Sequence, residues 1–215
     1  MEHLRKMHNK YKAQLIQKYV RRGQHVLDCG CGRGGDWVKW KVVGARVTAV
    51  DPDAESIKEA IRRASIHAVP GICIQQGDVR DVTGQFDAVC YNFSIHYIRP
   101  TLDESARAIA RRTRLGGVLF GIVPDAERIR AFSSPDPLGN TVQVVSDTTV
   151  AVKLVDGPFY GGVARDEPLI DRASLESALN RWFTLEVWEP MCPEQTGFVS
   201  DIYSVFVFRR KNVPP

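Results

Sequence analysis

The sequence predicts an α/β fold in which a mainly parallel β-sheet carries helices on both faces. Segments with strand and helix patterns alternate from residue 25 to residue 123. The strand segments are short and nearly all apolar, as expected for strands that are buried on both faces. A glycine-rich stretch follows the first strand directly. Ligands of open α/β sheets bind at such strand ends, so we expect the functional site there.

Each element follows from its local pattern. Helices are predicted where apolar residues recur at helical spacing, and strands where β-branched and aromatic residues cluster between turn signals. Thr101 and Glu104 form a capping-box pattern that should open a helix ending near Arg114, before Gly116 and Gly117. The other predicted helices are 8–21, 54–65 and 172–181. Seven strands are predicted at 25–27, 46–50, 72–74, 86–90, 118–123, 183–188 and 202–208, the last of them antiparallel.

Composition indicates one ordinary globular domain. The chain has 215 residues, of which 44% are hydrophobic and 25% charged. No apolar run reaches the roughly 18 residues of a membrane-spanning helix. The first residues are polar and do not resemble a signal peptide, so we expect an intracellular protein.

The cysteines predict neither a disulfide framework nor a metal site. They are odd in number and contain no CxxC pair. Four of the five lie in apolar or glycine-rich surroundings, where buried free thiols are the simplest interpretation. The five residues are Cys29, Cys31, Cys73, Cys90 and Cys192.

Positive charge is concentrated near the amino end. The net charge is +4, which permits an anionic partner without requiring one. Residues 5–22 contain seven basic side chains and no acidic one. Either this stretch is a solvated helix face or it binds phosphate.

The glycine-rich loop at residues 28–36 has the pattern DxGxGxGG followed by Asp36. Glycines at these positions allow a tight turn and a close approach of the backbone to a ligand. By itself such a loop would suit NAD, FAD or S-adenosylmethionine. The carboxylate of Asp28 disfavours a pyrophosphate and suits the positively charged aminoacyl end of S-adenosylmethionine.

Two further aspartates follow the next two strands. Asp51 is placed to accept the ribose hydroxyls, and Asp78 to accept the adenine amino group. Each alone would also fit a helix N-cap or a surface turn. Together with Asp28, the set resembles the Rossmann-like class I methyltransferases that use S-adenosylmethionine.

Four further segments narrow the choice among these enzymes. Residues 34–41 read GGDWVKWK, residues 8–16 HNKYKAQLI, residues 91–97 YNFSIHY and residues 200–208 SDIYSVFVF. In this order they resemble the GGDxxKWK run, the N-terminal NNWxKxxLI helix, the CQFxxHY motif and the SxIYxVFxF strand of the eukaryotic and viral mRNA cap guanine-N7 methyltransferases. The resemblance extends from about residue 8 to residue 208.

The resemblance implies transfer of a methyl group from S-adenosylmethionine to N7 of the 5′ guanosine cap of mRNA. Capped RNA would be the partner, together with other capping-enzyme domains or a stimulatory subunit, and no membrane. The location would be the nucleus, the cytoplasm, a viral factory or a virion. Residues 1–215 would form a single methyltransferase domain. Its parts are a basic helix at 1–22, a cofactor-binding core at 23–132, an irregular substrate-side segment at 133–170, and a helix and strands at 171–210.

The resemblance also assigns site residues. The cofactor would be bound by Lys12, Asp28, Gly30, Gly32, Gly34, Asp36, Asp51, Asp78 and Asn92, with Lys12 reaching the methionine carboxylate. The cap would be bound by Lys39, Lys41, Arg63, Phe93, His96, Tyr97, Glu167 and Tyr203.

Within the cap set, the aromatic side chains would stack on guanine, and Glu167 would accept its N1–H and amino group. His96 would bind the base or the first phosphate, and the basic side chains the triphosphate. As alternatives, the aromatic residues and His96 belong to the core, Glu167 is a turn residue, and the lysines are solvated.

No catalytic acid, base or metal is expected, because guanine N7 has a free lone pair and no proton to remove. Holding the two reactants together would supply most of the rate. Two other functions fit the same cofactor loop. One is a methyltransferase for small molecules, and the other is a non-catalytic binding domain of the same fold.

Overall fold

The computed structural model describes residues 2–155, 162–194 and 196–213. These residues form six α-helices, ten β-strands and two short 3-10 helices, at Ile95–Thr101 and Val199–Ile202. The α-helices are α1 (Glu2–Tyr19), α2 (Trp37–Val43), α3 (Ala54–His67), α4 (Leu102–Arg112), α5 (Ala126–Ala131) and α6 (Arg172–Leu179). The strands are β1 (His25–Cys29), β2 (Arg46–Asp51), β3 (Ile72–Gln76), β4 (Phe86–Asn92), β5 (Thr113–Pro124), β6 (Thr141–Ser146), β7 (Thr149–Lys153), β8 (Arg165–Pro168), β9 (Phe183–Pro190) and β10 (Tyr203–Arg210).

Seven strands form one sheet in the order β3-β2-β1-β4-β5-β10-β9. All pairings among strands β1 to β5 are parallel. β10 is antiparallel to both of its neighbours, β5 and β9. The prediction of a mainly parallel seven-stranded sheet with an antiparallel final strand is therefore confirmed. That final strand lies inside the sheet and not at its edge.

Successive residues of the central strands face opposite cores. Val26 of β1 packs in one core with Ile16 of α1 and Trp40 of α2. Its neighbour Leu27 packs in the other core with Ile109 of α4. Because side chains of a strand alternate between faces, a sheet covered on both sides needs apolar residues at every position. This requirement explains the continuous apolar runs in the sequence.

The segment 133–170, whose proline, glycine, aspartate and β-branched residues predict turns and an antiparallel ribbon, contains a second sheet. Strands β6, β7 and β8 form a three-stranded antiparallel sheet. Asp136 joins this unit to the final part of the chain, since its carboxylate accepts the N–H groups of Asn140 at 2.9 Å and Val199 at 3.0 Å. Pairing of Glu167 with Val150 fixes the position of Glu167 on β8. Residues 156–161 of this segment lie outside the described residues.

The capping box predicted at Thr101 is wrong. A 3-10 helix runs into α4, and the Thr101 hydroxyl lies 3.0 Å from the hydroxyl of Ser105 instead of capping a backbone N–H. The supposed partner Glu104 forms an ion pair with Arg80 at 3.2 Å. The helix ends at Arg112, and the glycines that were expected to close it belong to β5.

None of the helices in the described part of the chain has the length and apolar character to cross a membrane.

Candidate active site

Three aspartates lie at the same edge of the large sheet. Asp28 is the next-to-last residue of β1, Asp51 ends β2, and Asp78 follows β3 by two residues. Because β3, β2 and β1 are adjacent and parallel, their carboxyl ends meet at one edge. The predicted placement of these carboxylates is confirmed.

Asp51 and Asp78 already have protein partners. The Asp51 carboxylate accepts the N–H of Gly32 at 2.8 Å and that of Asp53 at 3.0 Å, so it holds the glycine loop against β2. Arg80 donates to both oxygens of Asp78, at 3.0 Å from Nε and 2.6 Å from Nη2. These hydrogen bonds lower the pKa of Asp78 and keep its carboxylate ionised.

The glycines of the loop are required by the protein itself. Gly30, Gly32 and Gly34 have backbone φ values of 72°, 52° and 71°, which residues other than glycine rarely adopt. A Cβ atom at Gly30 would overlap Ser94, and one at Gly34 would overlap the indole of Trp37. The loop is therefore pressed closely against the chain that follows β4.

A buried cluster of charges lies beside the loop. The Asp36 Oδ1 atom forms ion pairs with Lys12 and Lys39, each at 2.7 Å, and its Oδ2 accepts the amide of Asn92 at 3.2 Å. Burial alone would raise the pKa of Asp36, but the two ammonium groups outweigh it and lower the pKa. Lys39 also donates to Asn9 at 2.8 Å. These contacts direct Lys39 into the protein, although it was expected at the triphosphate.

Asp28 lies deeper in the same region. It is 3% exposed, and its Oδ2 accepts the indole N–H of Trp40 at 2.9 Å. Burial, reinforced by the negative charge of Asp36, raises the pKa of Asp28 to about 7. The site thus holds a carboxyl group that a positive ligand would help to ionise.

Asp28→Asn is expected to raise the free energy of unfolding above pH 7 and to leave it nearly unchanged near pH 4. The pKa of Asp28 lies above its ordinary value of 3.8, so its stabilising contribution is complete below about pH 4 and lost as the pH rises to about 7. The amide keeps the shape and accepts from Trp40 but does not titrate. Urea unfolding at pH 4.5 and 8 measures the difference, which is at most about 4 kcal/mol. Parallel pH profiles for the two proteins would contradict the prediction.

An aromatic cluster lies on the other side of Asn92. The rings of Phe93 and Tyr203 meet edge to face with centroids 4.9 Å apart, and His96 and Tyr97 meet at 4.1 Å. Glu167 joins the cluster, since its Oε2 is 3.7 Å from His96 Nε2. A hydrogen bond from Tyr97 to Glu167 also contributes to the raised pKa of Tyr97, of which burial is the larger cause. The structure thus brings together all five residues that were expected to contact the guanine.

Phe93 has a left-handed backbone, with φ of 62°, which is uncommon for a residue other than glycine. Its N–H donates to the carbonyl of Ile122 at 2.8 Å, which ties the residue to β5. In the next residue, the Ser94 hydroxyl donates a hydrogen bond of 2.7 Å to the carbonyl of Cys29, just before the first glycine of the loop. The chain directly after Phe93 therefore packs against the glycine loop.

His8 belongs to the cluster but had no predicted role. Its ring stacks on Phe93 at 5.3 Å and lies edge to face with Tyr203 at 5.5 Å. Its Nε2 is 2.7 Å from the hydroxyl of Ser200. Burial, together with the charge of Lys12, lowers the pKa of His8 to about 4, so the ring is neutral. The motif at residues 8–16 included His8, and only the tertiary packing shows what it touches.

Lys41 and Arg63, which were also expected to bind the triphosphate, both donate to backbone carbonyls of the protein. Lys41 donates to the carbonyl of His67, the last residue of α3, at 2.8 Å. Since α3 starts at the site edge of the sheet, its final carbonyls lie toward the opposite edge, where they attract a cation. Arg63 donates to the carbonyl of Arg33 at 3.0 Å.

The described residues contain no group of three or more histidine, cysteine or acidic side chains that is placed to hold a metal ion. All five cysteines are free thiols.

Solved structures share this architecture. An S-adenosylmethionine-dependent methyltransferase from Clostridium acetobutylicum has a TM-score of 0.68 and 16% identity, covering 96% of this chain and 92% of that one. One from Mesorhizobium loti has a TM-score of 0.62 and 18% identity, covering 94% and 96%. The fold is that of the S-adenosylmethionine-dependent methyltransferases. Residues 26–117 also match a family described as a methyltransferase domain.

Relatives identified by sequence carry a narrower description. The mRNA cap guanine-N(7) methyltransferase of Saccharomyces cerevisiae is 32% identical over 145 residues, which is 59% of this chain and 33% of that protein. The enzyme of the same name from Eremothecium gossypii is 34% identical over 147 residues, or 59% and 34%. The resemblance found in the motifs is thus confirmed. The chain spans about a third of the length of these relatives.

Proposed function

We propose that this protein transfers a methyl group from S-adenosylmethionine to guanine N7 of the 5′ cap of mRNA. One observation carries the proposal. Asn92, bonded to the Asp36 cluster, is followed directly by Phe93 of the aromatic cluster, and Lys12 Nζ lies 6.0 Å from the Phe93 ring centroid. The Asp36 cluster and the aromatic cluster therefore adjoin at the edge of the sheet where this fold binds ligands.

The Asp36 cluster, together with Asp28, fits the aminoacyl end of the cofactor. The Asn92 Oδ1 atom is buried with no hydrogen-bond partner among the described residues, so it can accept from an ammonium group. Asp28 and Asp36 add buried carboxylates for the same positive charge, and Lys12 suits the methionine carboxylate. Asp51 and Asp78 would accept from the ribose and the adenine. When bound, the cofactor supplies an activated methyl group on a sulfonium.

The aromatic cluster fits an unpaired guanine. Phe93 and Tyr203 would contact the base, since unpaired bases bind proteins by stacking on aromatic rings, and the His8 ring supports Phe93. Glu167 would accept the N1–H and amino group along one edge, which is a bidentate geometry that carboxylates suit. Tyr97 donates a hydrogen bond to Glu167, and His96 Nε2 lies 3.7 Å from its Oε2, so both neighbours limit the positions that the carboxylate can take.

These side chains bind and orient, and none has to move a proton. Guanine N7 attacks with its own lone pair, so the protein needs only to hold N7 in line with the methyl group. Such positioning is worth about 7–11 kcal/mol in well-oriented systems. As positive charge develops on the guanine, the carboxylate of Glu167 stabilises it.

Methyl transfer to an unmethylated cap tests the proposal. The purified chain should methylate GpppG and a GpppG-capped oligonucleotide, with the product methyl mapped to N7. A small-molecule methyltransferase would instead modify members of a panel of small nucleophiles. A chain that binds S-adenosylmethionine and transfers methyl to neither substrate would contradict the proposal.

Asp51→Ala is expected to weaken binding of S-adenosylhomocysteine by about 1.5–3 kcal/mol, because a hydrogen bond to a charged group is lost. Asp53→Ala is the matched control, since Asp53 caps α3 two residues away and is not assigned to the ribose. Calorimetry compares the two variants, and circular dichroism checks that both fold. Equal affinities for the Asp51 variant and the parent would remove Asp51 from the site.

We further infer that capped RNA is the partner and that other capping-enzyme domains or a stimulatory subunit act with this chain. The nucleus or cytoplasm, where capped transcripts occur, would be its location.

A further inference from the structure

A basic groove runs between α4 and the loop after β3, next to Asp78 of the candidate active site. Its volume is about 370 Å³. The lining residues are Arg80, Glu104, Arg107, Ala108, Arg111 and Arg112.

The groove carries uncompensated positive charge. Arg80 is neutralised by Asp78 at 2.6 Å and by Glu104 at 3.2 Å. The other three arginines form no ion pair with any described residue. Arg107 donates to the backbone carbonyl of Asp103 at 3.3 Å, and Arg112 to that of Gly84 at 3.5 Å. The Nε atom of Arg112 is buried without a hydrogen-bond partner among the described residues.

The arginines of the groove favour an anion with several hydrogen-bond acceptor oxygens. A guanidinium presents parallel N–H donors that match two oxygens of a phosphate. Protein interfaces, in contrast, centre on aromatic and large apolar side chains. Ala108 is the sole apolar residue lining the groove, so a phosphate chain fits it better than a protein segment.

The arrangement suits a linear polyanion. Arg107 and Arg111 are one turn apart on α4, about 6 Å along its axis, and both are exposed. The 3-10 helix that carries His96 and Tyr97 leads directly into α4. A chain that starts at the aromatic cluster can therefore continue along this helix.

We propose that this groove binds the phosphodiester backbone of the RNA that follows the cap. The inference rests on the proposed function, since it assigns a path to the rest of the same substrate. Contacts of this kind are independent of base sequence and weaken with salt.

The test compares a long and a short substrate. Arg107→Glu combined with Arg111→Glu should raise KM for a GpppG-capped ten-nucleotide RNA by about tenfold or more and leave the kinetics on GpppG unchanged. The slope of log affinity against log salt should fall by about 1.4, since each contact to a single strand contributes about 0.7. Arg46→Glu with Arg181→Glu is the control, because it reverses the same charge at two exposed positions that do not line the groove.

Filter binding of the uncapped ten-nucleotide RNA separates the two proposals, because it requires no methyl transfer. Weaker RNA binding by the groove variant alone supports the groove, even if no substrate is methylated. RNA binding equal to that of the parent overturns the groove proposal. Competition by polyglutamate, with RNA affinity unaffected by the substitutions, would assign the groove to an acidic protein and overturn it as well.

Discussion

Asp36→Asn is expected to lower the free energy of unfolding by about 3–5 kcal/mol, the usual result of removing one partner from a buried ion pair. The substitution keeps the size of the side chain but removes the carboxylate that forms ion pairs at 2.7 Å with both Lys12 and Lys39. Both lysine side chains are largely buried, at 16% and 12% exposed, so water replaces little of the lost interaction. Urea unfolding at pH 7 measures the change.

The control is Glu59→Gln, which removes an acidic partner from an exposed ion pair with Arg62 on α3. Exposed pairs contribute little, so its unfolding curve should lie close to that of the parent. The pKa of Asp36 is lowered in the folded protein, so its contribution is present above pH 4 and lost as the pH falls further. An Asp36→Asn protein with an unchanged midpoint would show that the two lysines find other partners.

Glu167→Gln should reduce kcat/KM on GpppG by about 100-fold or more. The amide nitrogen would place a donor against the N1–H or amino group of guanine, and sites built around a hydrogen bond reject a mismatch strongly. The fold should survive, because the shape is kept and Glu167 lies on the small sheet. Affinity for S-adenosylhomocysteine should be unchanged.

Asp166→Asn is the matched control for this prediction. Asp166 precedes Glu167 on β8, is exposed and points to the opposite face of the strand. Its variant should methylate GpppG like the parent. If the Glu167→Gln enzyme also turns over normally, another residue reads the guanine edge, and the cluster would have to be assigned to some other ligand.

The cofactor side of the site was largely predictable from sequence. Periodicity located the strands, and the topology of parallel sheets then required Asp28, Asp51 and Asp78 to share one edge. Phe93 and Tyr203 were predicted from motifs that lie at the ends of strands, and the topology of the sheet determines where strand ends lie. Such predictions succeed because they depend on the backbone alone.

Directions of long side chains were not predictable. Lys39 and Lys41 are two residues apart on α2, yet one points into the Asp36 cluster and the other to the end of α3. The outcome depends on which acceptors the neighbouring helices present. The position of Glu167 depends on the pairing of β8 with β7, which the sequence does not reveal. The position of His8 depends on its contact with Ser200, which lies 192 residues away in the sequence.

The internal position of β10 has a consequence for synthesis of the chain. β9 bonds to the rest of the sheet only through β10, which follows it in the sequence. Until β10 leaves the ribosome, the apolar strand β5 has one bare edge and β9 has no place to dock. Bare apolar strand edges pair with other chains, and non-local pairings form slowly. Recombinant yield should therefore improve at low temperature and slow induction, where the last strand has time to insert.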